Sequence, residues 1–326
     1  MQDLALPPAT LLDALGAPQK GAYAGRIASA EFAGGRLGGW RKKAWRYAGV
    51  FRDDLAIGAA IADLGYLGLT FVYVAEGGRF YECAWKSPAA AGLRVGAADG
   101  TSVALAPGRM VTLATTRTGG VTVSLALPEI RAELDIEGGA TPLTVVSDVG
   151  GVAGATGMTV KSAGLLTRGT LCVQGRSYTL DDARACLDFT QALFPRRTVW
   201  SWATAGGLAD DGRAVGFNLA RGVHDDALGR FSENALWLDG TPAALPAVSF
   251  TAAPGAAPWT IRSADGAVDL RFQPRGERAE DVNFLILSSR YRQPFGSFSG
   301  RLRDARGREV RIDGVPGVTE DHAALW

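Results

Sequence analysis

The feature that most constrains this chain is a hydrophobic period of two that recurs along it. Ile130, Ala132, Leu134 and Ile136 alternate with Arg131, Glu133, Asp135 and Glu137. Val121, Val123, Leu125 and Leu127 alternate with Thr122, Ser124 and Ala126. Val268, Leu270 and Phe272, and later Val310 and Ile312, repeat the pattern against polar partners. A strand sends successive side chains to opposite faces, so each run reads as a half-buried strand with one wet face. Ile130, Leu134 and Ile136 are expected to point inward, with Arg131, Glu133 and Asp135 outward. Between the runs stand Glu76-Gly77-Gly78, Asp99-Gly100, Asp211-Gly212, Asp239-Gly240, Asp265-Gly266 and Arg306-Gly307. Asp-Gly supplies the positive φ of tight hairpins, and 43 glycines in 326 residues fit a chain full of them. No long helical period separates the runs. This excludes βαβ units and predicts an antiparallel meander.

Two segments read as helical: a turn around Thr10 to Leu15, and Leu180 to Leu193, with Asp181 and Asp182 as caps and Pro195 beyond. The second reads as a connection between two β halves, so the boundary is placed at Pro195, giving domains 1–195 and 196–326. The nearly uncharged stretch Leu55 to Ala75 contains Asp63 and several β-branched or aromatic residues. It reads as two buried strands joined at Leu64-Gly65 rather than a membrane helix, and no integral membrane association is expected. So many strands must dispose of their edges, and closure does this. The expected fold is all-β: two antiparallel barrels packed together, with little helix. Barrels of eight to ten strands hold one small ligand or a packed core.

Composition removes several function classes. A formal net charge of +1 gives no basic surface for nucleic acid. The arginines from Arg290 to Arg311 mostly alternate with other residues, as on a solvated strand face. Two histidines cannot build a three-histidine zinc site. No Walker phosphate loop is present, Gly150 to Gly157 lacks the dinucleotide-binding order, and Gly296-Ser297-Phe298-Ser299-Gly300 has Phe298 where a nucleophile would stand. No metal, nucleotide or flavin cofactor is expected. Cys83, Cys172 and Cys186 are odd in number and contain no C-x-x-C pair, and the first twenty residues lack the basic start of a signal peptide. A cytoplasmic location is expected.

What remains is aromatic and acidic. Trp200 and Trp202 share one strand face, Trp40 and Trp45 flank a basic run, and Trp237 follows Glu233-Asn234. Indoles with a few polar groups line pockets for bulky apolar ligands; they also serve as plain core. Four acidic positions sit among apolar residues: Asp63, Asp188, Glu233 and the triplet Glu320-Asp321-His322. A buried carboxyl is either paired, commonly with an arginine, or protonated with a raised pKa. The second state is what a general acid needs at neutral pH. For Asp63, a turn role at Asp63-Leu64-Gly65 competes with the catalytic one.

Lys43-Ala44-Trp45-Arg46-Tyr47 followed by Ala62-Asp63-Leu64-Gly65-Tyr66-Leu67-Gly68 resembles the front of the domain of unknown function 2804 family. Leu187-Asp188-Phe189-Thr190 with Pro195-Arg196-Arg197-Thr198-Val199-Trp200-Ser201-Trp202 resembles its middle. Gly216-Phe217-Asn218-Leu219, Glu233-Asn234-Ala235-Leu236-Trp237, Asp239-Gly240 and Gly296 to Gly300 resemble its later half. The family is similar, more remotely, to double-lipocalin proteins that include carotenoid hydratases. That resemblance implies lipocalin-like barrels and an apolar small-molecule ligand, and it carries over no catalytic residues. The residues, read with what the resemblance implies, give two functional expectations. One is a metal-free acid–base enzyme of hydratase, isomerase or cyclase type. In it Asp63, Asp188 and Glu233 move protons, His322 is a partner, and Trp45, Trp200, Trp202 and Trp237 line the site. The other is a non-catalytic carrier or sensor of a lipid-like molecule, with carbohydrate chemistry on a carboxylate pair as a third and weaker reading.

Overall fold

The computed structural model describes residues 4–30, 41–252, 257–284 and 287–326. One sheet comprises β1 (Gly21–Ala24), β2 (Lys42–Arg52), β3 (Leu55–Asp63), β4 (Leu67–Glu76), β5 (Arg79–Pro88), β6 (Leu93–Arg94), β7 (Thr101–Ala106), β8 (Arg109–Thr115), β9 (Val121–Ala126), β10 (Ile130–Ile136), β11 (Leu143–Asp148), β12 (Thr156–Val173) and β13 (Arg176–Leu193). The other comprises β14 (Arg197–Leu208), β15 (Ala214–Arg221), β16 (Ala235–Leu238), β17 (Thr241–Ala244), β18 (Val248–Thr251), β19 (Trp259–Ser263), β20 (Val268–Phe284), β21 (Leu287–Arg303) and β22 (Glu309–Leu325). No α-helix occurs among the described residues. The expected pair of barrels is realised as one nearly closed barrel and one half-barrel sheet packed together.

In the first sheet the order is β5-β4-β3-β2-β13-β12-β10-β9-β8-β7-β6. The long strand β12 splits its pairing: its first half bonds β11 and its second half β10. The second sheet runs β17-β16-β15-β14-β22-β21-β20-β19-β18. Every named strand pair is antiparallel, as the Asp-Gly turns require. Strand β10 has Ile130, Ala132, Leu134 and Ile136 buried and Arg131, Glu133 and Asp135 exposed, as its alternation predicts.

Leu180 to Leu193 is not a helix but most of β13. Pairing with β12 on one side and β2 on the other satisfies its backbone. Ala183 and Ala185 face the first core and Cys186 the second sheet. Burial on both faces overrides the local helix signals. Thr10 to Leu15 is likewise a turn, in which the Asp13 carboxylate accepts from the amides of Leu15 and Ala17 at 2.9 Å each. Leu55 to Ala75 is the hairpin β3–β4, as expected.

Each sheet encloses its own apolar core, one built on residues such as Val50, Ile57, Val123 and Leu134, the other on Phe217, Leu270, Phe272 and Phe298. Within the first, the buried Arg46 guanidinium reaches across to the carbonyls of Ala98 and Gly100 at 2.7 and 2.6 Å, tying β2 to the loop before β7. The outer faces of the two sheets then pack on each other in a third layer containing Tyr47, Phe51, Cys186, Trp202, Trp237 and Val318. At Gly164 and Gly216 the two backbones touch. A Cβ on Gly216 would lie 2.3 Å from the Ala163 carbonyl carbon. Gly164 sits at φ +79° in the β12 bulge, a conformation that favours glycine.

Candidate functional site

The layer between the sheets carries the polar side chains of interest, and strand period and register put them there. From the first sheet, β2 supplies Trp45 and Tyr47, β12 supplies Thr159 and Lys161, and β13 supplies Asp188 and Thr190. Lys161 pairs with Asp188, Asp188 with Tyr47, and Thr190 with Trp45. From the second sheet come Trp200 and Trp202 of β14, Tyr291 and Gln293 of β21, and Glu320 and His322 of β22. Trp202 pairs with Glu320, and His322 with Trp200 and Tyr291. Glu233 arrives on the segment before β16.

Two acidic centres form. In the first, Lys161 Nζ lies 2.8 Å from Asp188 Oδ1 and 3.1 Å from Glu233 Oε2. Both contacts are ion pairs by distance, and Glu233 Oε2 has no other partner. These three are only 5%, 8% and 3% exposed for Lys161, Asp188 and Glu233 respectively. Trp45 Nε1 donates to Asp188 Oδ2 at 3.2 Å, and the Thr190 and Thr159 hydroxyls lie 3.0 and 3.3 Å from Oδ1. Burial lowers the Lys161 pKa, but the two carboxylates outweigh it and leave it raised. The ammonium also stands over the Trp202 ring, 5.4 Å from its centroid. One cation between two carboxylates leaves the centre net negative.

The second centre is Glu320. Trp200 Nε1 donates to its Oε1 at 2.7 Å and Gln293 Nε2 to its Oε2 at 3.0 Å. Tyr73 of the first sheet donates to Gln293 Oε1 at 2.9 Å, so both sheets hold this carboxyl. Burial pushes the Glu320 pKa up to about 7. Hydrogen bonds from Trp200, Tyr291 and Gln293 pull against that, and the charge on Asp188 adds to it. The two centres meet through stacked indoles: Trp45 and Trp200 lie 6.1 Å apart at 12°, each donating its N–H to the carboxylate of its own sheet.

The histidines flank the centres and are neutral. His322 stands 4.2 Å from Trp200, centroid to centroid, and its Nε2 lies 2.9 Å from Ser289 Oγ. Burial pushes its pKa down to about 3. His224, with Nδ1 2.9 Å from Ser147 Oγ, is pushed down to about 3 by burial and then by Lys161. Neither is an imidazolium at neutral pH, so neither serves as a cationic acid.

Of the residues singled out from sequence, Asp188, Glu233, His322, Trp45, Trp200 and Trp202 come together here. Asp63 does not. It ends β3, and its Oδ1 accepts from the Gly65 amide at 2.7 Å, the turn role weighed against catalysis. Its charge also acts on buried Lys43, whose pKa burial lowers to about 8. Trp237 is elsewhere in the layer, donating its N–H to the Thr141 carbonyl at 2.9 Å. Trp40 lies outside the described residues. Lys161 was not singled out, although it is the one charge between Thr156 and Thr167. Glu320 was noticed only within its triplet; which of Glu320, Asp321 and His322 faces inward depends on register, and Asp321 points out.

Comparison with known proteins follows the fold. A putative AttH from Nitrosomonas europaea superposes with a TM-score of 0.52 at 15% identity, covering 90% of this chain and 96% of that one. CghA with Sch210972 gives 0.51 at 12% identity, covering 87% and 88%. Kievitone hydratase from Nectria haematococca gives 0.46 at 10%, covering 87% and 88%. No curated protein sequence matches. The model of the domain of unknown function 2804 matches residues 4–326, and the chain belongs to that family.

Proposed function

We propose that the protein is a metal-free acid–base enzyme of hydratase, isomerase or cyclase type acting on a bulky apolar small molecule, with Glu320 as the proton donor. The observation that carries this is a carboxyl buried between two sheets with a pKa of about 7, so that the acid form is well populated near neutral pH. Proton transfer from Glu320 to a carbon–carbon double bond leaves a substrate cation and a carboxylate. The Trp200 and Trp45 faces and the net negative Lys161–Asp188–Glu233 centre favour that cation. Water then adds and returns a proton to Glu320, or a neighbouring carbon loses one to it. The first outcome is hydration and the second isomerisation. Asp188 and Glu233 act as the fixed field, and His322 orients Trp200. The halves 1–195 and 196–326 act as two domains whose seam is the site. The location proposed is a reducing cytoplasm, where Cys83, Cys172 and Cys186, all free, stay thiols. CghA has been solved with Sch210972, so this architecture admits a bound compound.

A second reading, a carrier or sensor, is favoured by the pairing of Asp188 and Glu233 with Lys161, the usual way to bury structural charge. The two separate in one experiment. Apolar compounds that co-purify with the protein are incubated with it in D₂O or H₂¹⁸O and weighed by mass spectrometry. The enzyme incorporates solvent label, and Glu320→Gln does not. Compounds recovered unlabelled from wild type make the protein a carrier.

A further inference from the structure

The seam holds a second feature, away from the tryptophan pair. A groove of about 400 Å³ opens where β3 and the β4–β5 hairpin meet β20, β21 and β22, a volume within the usual range of small-molecule sites. Gly276, Gly296 and Gly317 sit on three neighbouring strands, and Gly296 pairs directly with Gly317. A Cβ on Gly296 would fall 2.0 Å from the Gln273 carbonyl oxygen and one on Gly317 2.3 Å from that of Thr204, so these glycines let the strands under the groove pack closely.

The walls are aromatic. Phe295 lies flat over Gly276, where an added Cβ would fall 2.3 Å from the ring. Phe80 stands beside it, the two rings 5.9 Å apart and within 2° of parallel. Phe80 is 41% exposed, so burial in a core does not explain it. Charge at the rim is partly paired: Arg52 with Asp54 at 2.8 Å, Glu76 with Arg176 at 2.6 Å, and Glu277 with Arg292 at 2.7 Å, while Arg79 and Arg275 line the rim as well. Between these charges a flat apolar ligand finds parallel ring faces.

We infer that this groove binds a flat, apolar ring system by stacking on Phe80 and Phe295. It also communicates with Glu320. The Tyr73 ring backs the groove, 5.7 Å from Phe80 and 6.1 Å from Phe295. Its hydroxyl donates to Gln293, which donates to Glu320. That link to the acid rests on the function proposed above; the binding does not.

The test titrates the protein with pyrene, a neutral, flat fluorophore. Phe80→Ala removes one wall at an exposed position, and Ala56→Leu fills the groove from β3. Each is expected to weaken binding about tenfold, with circular dichroism showing both folded. Thr260→Trp, in a separate surface depression lined by Pro258, Thr260 and Arg262, is expected to leave affinity unchanged. Wild-type affinity in both groove variants, or loss of binding in Thr260→Trp, would overturn the assignment. The readout is probe binding, so its failure leaves Glu320 as the acid, and a failure of Glu320 to titrate near neutrality leaves the groove.

Discussion

Lys161 is the residue on which the first acidic centre depends. It is the cation shared by two buried carboxylates. Removing one member of such a group leaves uncompensated charge in a low dielectric, which costs more than the group contributed. Lys161→Met is therefore expected to destabilise the protein by about 3–5 kcal/mol, read from urea unfolding. A loss under about 1 kcal/mol would mean that water reaches the centre and screens it. Trp200 makes a subtler contribution, since its N–H stabilises the charged form of Glu320. Trp200→Phe should raise the Glu320 pKa by about one unit, the worth of one hydrogen bond to a charged group. A fall instead would show that the indole chiefly desolvates the carboxyl.

At the scale of strands, the sheets approach most closely where side chains are absent. Gly216 of β15 faces the Ala163 backbone of β12, and neither can yield as a flexible side chain would. Gly216→Ala is expected to cost about 1–3 kcal/mol or more by prising the sheets apart, measured as a lowered urea midpoint at unchanged m-value. A neutral effect would mean that the seam is loose. Strands were legible because each carries its own period of two; β10 buries Ile130, Ala132, Leu134 and Ile136 and exposes Arg131, Glu133 and Asp135, the faces their alternation assigns. The β13 segment misled because Asp181-Asp182 and the run to Leu187 mimic a capped helix, and the burial that decides the matter comes from β2 and β12, far away in sequence. The site was legible to the same depth. Asp188 and Glu233 stood out as acids in apolar runs. Their shared partner Lys161 follows only from the β12–β13 register, and the partners of Glu320 only from the packing of one sheet on the other.

For the whole molecule, the buried titratable groups set opposing pH trends. His224 and His322, with pKa lowered to about 3, take up protons more readily when unfolded. Their contribution to stability is present above the unfolded value of about 6.5 and is lost as pH falls toward 3. Glu320 runs the other way. Its folded pKa of about 7 exceeds the ordinary glutamate value, so the folded state holds the proton more tightly across that interval. Its contribution is present at low pH and is lost as pH rises through 7. Comparison with Glu320→Gln cancels the histidines. Wild type should lose roughly 3 kcal/mol relative to the variant between pH 4.5 and pH 7.5, measured by urea unfolding across that range. Equal slopes would place Glu320 in contact with solvent. The central claim, that two sheets together hold a protonated carboxyl in their seam, is tested most directly by carboxyl ¹³C NMR titration of the intact chain, with Glu320 assigned by its loss in Glu320→Gln. A midpoint near pH 7 is the expected result; a midpoint near the ordinary glutamate value of about 4.3 would contradict it.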